Sequence, residues 1–159
     1  MSQQVTLALI AHDSKKEALA DFVLENRAAL SRFRLVATQG TGGLVRKRTG
    51  LPVELLESGH AGGDRQLGSL AAENEVQAVI FFRDPEAAGH EPDFTGLLAV
   101  CDAEEISLAT NRATAQALLY FLTNSPDRAL VTARPWGYAP QPPPTGIEAA
   151  AAAVWAGRV

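Results

Sequence analysis

Four clusters of polar and small residues each come directly after a short apolar run. They are His12-Asp13 with Lys16 one turn further on; Thr38-Gln39-Gly40-Thr41-Gly42-Gly43; Ser58-Gly59 leading into Gly62-Gly63-Asp64; and Arg83-Asp84-Pro85 leading into His90-Glu91-Pro92-Asp93. Thr110-Asn111 follows a fifth run in the same way. Small residues let backbone amides close on an anion, while hydroxyls and a lysine donate to its oxygens, so the first three groups suggest a cradle for one phosphate. Each alone has a plain reading: Gly40–Gly43 as a tight loop, Ser58-Gly59 as a turn, Lys16 as a solvated helix residue. Their common position after strands is what joins them.

The acidic residues Asp13, Asp64, Asp84 and Asp93 point to proton transfer. Carboxylates gathered in one place are expected to repel, raising a carboxyl pKa above its reference of about 3.9 and making a better proton acceptor. Asp13 and Asp84 also suit a turn or cap, for which Asp is a favoured type. Asp64 is the sharper candidate, because the glycine pair before it leaves room for a small substrate against the backbone. His90 is the side chain most easily switched between donor and acceptor. His12, His60 and His90 show no zinc-ligand spacing, so no zinc site is expected. No Gly-rich dinucleotide fingerprint follows the first strand.

These residues need elements to hold them. Apolar runs rich in Val, Ile, Leu and Phe predict strands at Val5–Ala11, Phe33–Thr38, Val53–Leu56, Gln77–Arg83 and Ile106–Thr110. Between them, helices are predicted over Lys15–Asn26, Gly42–Thr49, Leu67–Glu75, Phe94–Asp102 and Thr114–Thr123. The alternation is that of a single doubly wound α/β domain, a five-stranded, mainly parallel sheet with helices on both faces. Ligands of such folds bind beyond the carboxyl ends of the strands, where the polar groups lie. Ser14-Lys15-Lys16-Glu17 has capping-box spacing at the first helix. Arg128–Thr132 could add an edge strand. The domain is expected over residues 1–134, followed by a Pro-rich, then Ala-rich tail over 135–159, with Pro140 and Pro142–Pro144 favouring an extended arm. Ile147–Trp155 could form a short docking helix.

The bulk composition narrows the classes. A chain of 159 residues with 47% hydrophobic and 20% charged residues fits one globular domain. A formal net charge of -4 argues against nucleic acid as the main partner. Val5–Ala11 stops at His12-Asp13 before reaching signal-peptide or membrane length, so a cytoplasmic protein with no membrane partner is expected. The single cysteine, Cys101, excludes an internal disulfide and reads as a core thiol rather than a nucleophile.

Over nearly all of Val5 to Thr123 the residues resemble the methylglyoxal synthase family. The matching segments are Ala11–Lys16, Ala37-Thr38 with Thr41-Gly42, Ser58-Gly59, Gly62–Gly68, Phe81–Pro85, His90–Asp93 and Ala109–Asn111. The resemblance implies a lyase that converts dihydroxyacetone phosphate to methylglyoxal and inorganic phosphate without a metal or organic cofactor, usually as a homohexamer; since the cradle binds the group that substrate and product share, phosphate is expected to inhibit. It implies Asp64 as the base, with His90 and Asp93 in the same site. Lys16, Thr38, Thr41, Ser58 and Gly59 match the phosphate ligands, His12 joins them on the substrate side, and Asp13 and Asp84 support the set. There are departures: the family often has a further threonine at the place of Gly40, the loop from Asp84 to His90 is about one residue shorter, and the tail beyond Trp136 matches nothing. The same fold also serves as a regulatory domain in the large subunit of carbamoyl phosphate synthetase, so a non-catalytic domain binding a phosphate ligand is the alternative. An isomerase that keeps the phosphate is a third reading.

Overall fold

The computed structural model describes residues 4–87 and 94–124, with the side chain of His60 left out. Five strands, β1 (Thr6–Ala11), β2 (Arg34–Thr38), β3 (Glu54–Leu56), β4 (Ala78–Phe82) and β5 (Ser107–Ala109), pair in parallel in the order β3-β2-β1-β4-β5. The helices are α1 (Lys16–Glu25), α2 (Arg27–Leu30), α3 (Gln39–Thr49), α4 (Gly63–Ala72), α5 (Thr95–Ala103) and α6 (Arg112–Asn124).

Alternate residues of the central strands feed two cores, as the period of two requires. Leu7, Leu9, Leu35 and Ile80 pack with Phe22 and Val23 of α1, Val45 of α3 and Leu119 of α6. Ala8, Ile10, Val36, Val79 and Phe81 pack with Leu67 and Ala71 of α4 and with Leu97 and Cys101 of α5. Each fully buried Leu or Phe contributes about 1.5–3 kcal/mol, and β1 is buried along its whole length, which is why it reads as an unbroken apolar run. The sheet is therefore doubly wound. After β1 the chain turns to the α1 side and after β4 to the α5 side, so the switch point lies between these neighbouring strands, where the fold opens a crevice at the strands' carboxyl ends.

Strand positions agree with the sequence reading to within a residue at each end. Helices α1 and α5 also start within a residue of the reading, whereas α3, α4 and α6 start earlier. Helix α3 begins at Gln39 rather than Gly42, and α4 at Gly63 rather than Leu67. Glycine disfavours helix in isolation, but here it serves packing. A Cβ on Gly42 would lie 2.4 Å from Leu55 Cδ2 and 3.0 Å from the Ala37 Cβ, so its absence lets α3 rest on β2 and β3. The single-turn α2 carries too short a pattern to be legible.

The capping box is also corrected. No side chain caps α1: Ser14 Oγ instead donates to Asp84 Oδ2 at 2.6 Å, and Glu17 accepts from Arg48 at 2.6 Å. Long-range partners outcompete the local bond. Cys101 is buried, and burial pushes its thiol up to about 11, as suits a core residue. His90, Asp93, the Arg128–Thr132 segment and the tail lie outside the described residues.

Candidate active site

Because all five strands run parallel, the residues after β1 to β5 share one edge of the sheet. At the switch point, the last backbone bond from His12 N–H to the Phe82 carbonyl, at 3.2 Å, continues the β1–β4 ladder one step. The His12 ring is buried and packs edge-on against Phe81, with centroids 5.1 Å apart, and against Phe94. Its Nδ1 accepts the Asp84 backbone N–H at 2.9 Å. That bond needs a lone pair on Nδ1, so the hydrogen of the neutral ring is on Nε2.

Asp84 accepts from Ser14 Oγ and, at 2.9 Å, from the Glu86 backbone N–H. These two bonds, with smaller help from the charge of Lys15, hold its carboxyl below the ordinary carboxylate range. The expectation that clustering would raise the acidic pKa values is overturned for Asp84, whose hydrogen-bond donors outweigh the opposing effect of desolvation. It acts as a brace between the loops after β1 and β4. Asp13 pairs with Lys16 at 2.5 Å.

Thr38 stands in extended backbone at the N-terminal boundary of α3 with its hydroxyl not used as a cap, and Thr41, one turn on, is fully buried. Their hydroxyls lie 3.5 Å apart. An uncapped helix start with two hydroxyls offers donors and the positive end of the helix dipole to one anion. Lys16 Nζ reaches this same start, since a Cβ on Gly40 would sit 2.8 Å from it. The missing side chain at Gly40 is thus filled by an ammonium group.

After β3, Ser58 begins a short 3-10 turn (Gly59–Ala61), and its carbonyl accepts from Ala61 N–H and Gly63 N–H. Gly62 has φ +106°, which only glycine adopts at little cost. A Cβ on Gly63 would lie 2.0 Å from the Glu57 carbonyl oxygen. The two glycines therefore fold the chain back on itself and set Asp64 in the first turn of α4. Gln66 Oε1 pins the loop by accepting the Glu57 N–H at 2.7 Å. Asp64 is partly exposed and makes no hydrogen bond or ion pair with any described residue. Among the described residues, no three His, Cys, Asp or Glu side chains gather as a metal site, and no helix is long and apolar enough to cross a membrane.

Residues 18–110 match the family model described as MGS-like domain. A methylglyoxal synthase from Borreliella afzelii (strain PKo) is 47% identical over 114 residues, covering 71% of this chain and 90% of the relative. One from Moorella thermoacetica is 47% identical over 121 residues, covering 76% and 94%. The chain belongs to the methylglyoxal synthase family of enzymes. A crystal structure of the methylglyoxal synthase from Elizabethkingia anophelis NUHP1 superposes with a TM-score of 0.73 at 35% identity, covering 86% of this chain and 95% of that one.

Within this methylglyoxal synthase fold, the structure brings Lys16 to the start of α3 beside Thr38 and Thr41, and His12 to Asp84. Ser58 and Gly59 lie in the loop that delivers Asp64. Four residues escaped the sequence reading in these roles: Ser14 as partner of Asp84, Phe81 and Phe94 as the walls of the His12 ring, and Glu57, whose carbonyl lies against Gly63. Only the alternation of Phe81 and Phe82 in β4 could have signalled a wall, since neighbouring strand residues face opposite sides.

Proposed function

We propose that this chain removes phosphate from dihydroxyacetone phosphate to give methylglyoxal and inorganic phosphate. The observation that carries the reading is the Asp64 carboxylate, without a partner among the described residues and held by a glycine pair at the same sheet edge as the Lys16, Thr38 and Thr41 cluster. A domain that only binds phosphate ligands has no use for such a proton acceptor.

In this reading the phosphate group rests on the first-turn amides of α3, the two threonine hydroxyls, Lys16, Ser58 and Gly59. Asp64 takes a proton from the carbon beside the ketone that does not carry the phosphate. The electron pair forms the enediolate, the carbon–oxygen bond to phosphate breaks, and the resulting enol rearranges to methylglyoxal. His12, with its hydrogen on Nε2, and His90 serve the substrate oxygens, and Asp93 lines the same site. One donor aimed at a developing oxyanion is worth roughly 3–4 kcal/mol in comparable enzymes. The cradle holds the leaving group out of the enediolate plane, where the breaking bond overlaps the π system.

Every charge in this scheme is met by a side chain or an amide, so no metal has a task. The resemblance further supports a homohexamer inhibited by phosphate, built on residues 1–134.

The test is product analysis of the purified protein with dihydroxyacetone phosphate, before and after exhaustive chelation. Methylglyoxal and phosphate in equal amounts, at a rate unchanged by chelation, are expected. An aldose phosphate as product would replace the lyase with an isomerase; no product at all would leave a binding domain.

A further inference from the structure

On the α1 and α6 side of the switch point, a cavity of about 160 Å³ is lined by Lys15, Ala18, Phe82, Arg83, Thr110, Asn111 and Arg112. Its three cations differ in their commitments. Arg112 is paired with Glu25 and lies over the Phe22 ring, 5.9 Å from its centroid. Neither Lys15 nor Arg83 makes an ion pair with a described residue, although Lys15 acts at longer range on Asp84. The chain is acidic overall, at -4, so positive charge gathered around one small cavity runs against its composition.

Lys15 sits next to Ser14 and Lys16, and Arg83 next to Asp84, so the pocket takes the chain neighbours of site residues. The Arg83 backbone N–H, bonded to the Thr110 carbonyl at 3.3 Å, ties the strand ends that form its floor. On one wall, the Asn111 side chain caps α6 at the Thr114 N–H at 3.0 Å and so fixes where that helix begins.

We propose that this cavity is a second anion site, separate from the cradle at α3, which takes a phosphate group between Lys15 and Arg83. Its volume admits inorganic phosphate or the phosphate end of a small metabolite and excludes drug-sized ligands, which need roughly 300–1,000 Å³. A guanidinium offers a planar fork to two phosphate oxygens and an ammonium a point charge to a third. Thr110 and Asn111 supply neutral polar groups at the rim.

The test is calorimetric titration with inorganic phosphate at about 0.15 M ionic strength, where unspecific attraction between exposed charges is screened beyond about 8 Å. The native protein is expected to bind two phosphates per chain. Lys16→Ala should weaken one of them, and the double variant Lys15→Gln/Arg83→Gln should weaken the other at least tenfold while its circular dichroism stays native. Phosphate binding to the double variant that matches the native protein in number and affinity would overturn the second site, as would a single native phosphate that Lys16→Ala abolishes. An effect of Lys16→Ala on neither phosphate would count against the cradle alone and leave the second site to be decided by the double variant.

Discussion

Helices α3 and α4 both start immediately at the carboxyl edge of the sheet, and neither has a side-chain cap. They differ in what fills the first turn. Helix α3 opens with Gln39-Gly40-Thr41, has no acidic residue there and draws in the Lys16 ammonium. Helix α4 opens with Gly63-Asp64 and so brings its own carboxylate to its positive end. One helix start is thus left open to an anion, and the other carries the carboxylate that serves as base in the proposed reaction. The backbone before them differs too, extended at Thr38 and left-handed at Gly62, but the side-chain difference is the Asp64 carboxylate.

The largest expected effect comes from removing that difference. Asp64→Asn keeps the size of the side chain but removes the proton acceptor. The turnover number should fall by about 10³-fold or more while phosphate binding and circular dichroism stay unchanged. Near-native turnover would take the role of base away from Asp64.

Gly63→Ala tests the glycine support rather than the carboxylate. A methyl group meeting the Glu57 carbonyl oxygen must push the loop aside, at a cost of about 1–3 kcal/mol. A lowered midpoint in urea, together with reduced turnover, is expected. An unchanged midpoint would show that the loop yields freely and that the glycine is not required.

On the α3 side, Lys16→Ala should weaken phosphate and substrate binding about 10- to 100-fold, the worth of a charged hydrogen bond of roughly 1.5–3 kcal/mol. The Michaelis constant should rise more than the turnover number falls. A change confined to turnover would move Lys16 from anion holding to proton transfer.

The smallest effect concerns the brace. Ser14→Ala removes the main cause of the lowered Asp84 pKa, which should then move up toward the ordinary carboxylate value in a carboxyl-carbon NMR titration. A group whose folded pKa is depressed adds stability above its unfolded pKa and loses it as pH falls through the folded one. The variant should therefore be slightly less stable than the native protein at neutral pH, with the gap closing in acid. A gap that persisted in acid would mean that Ser14 acts through packing instead.

The strands, the parallel doubly wound class and the edge where the polar groups gather were legible in the residues alone. Fully buried strands such as β1 need continuous apolar runs, and a parallel sheet puts every strand's end on one side. Asp64 stood out through its glycine pair alone. Contacts between segments distant in the chain became visible only in the fold. Ser14 was read as a cap because local spacing allowed it, yet Asp84, 70 positions away, holds it. The predicted helices began at Gly42 and Leu67, which left Gly40 and the Gly62-Gly63 pair in loops. In the fold, Leu55 and Ala37 against Gly42, and the Glu57 carbonyl against Gly63, make a missing side chain the condition for the helix to lie where it does. Gly40 is the clearest case, since its meaning depends on Lys16 Nζ, which reaches it from another helix. Propensity is a property of the residue alone, whereas close approach belongs to the pair, and only folding brings the pair together.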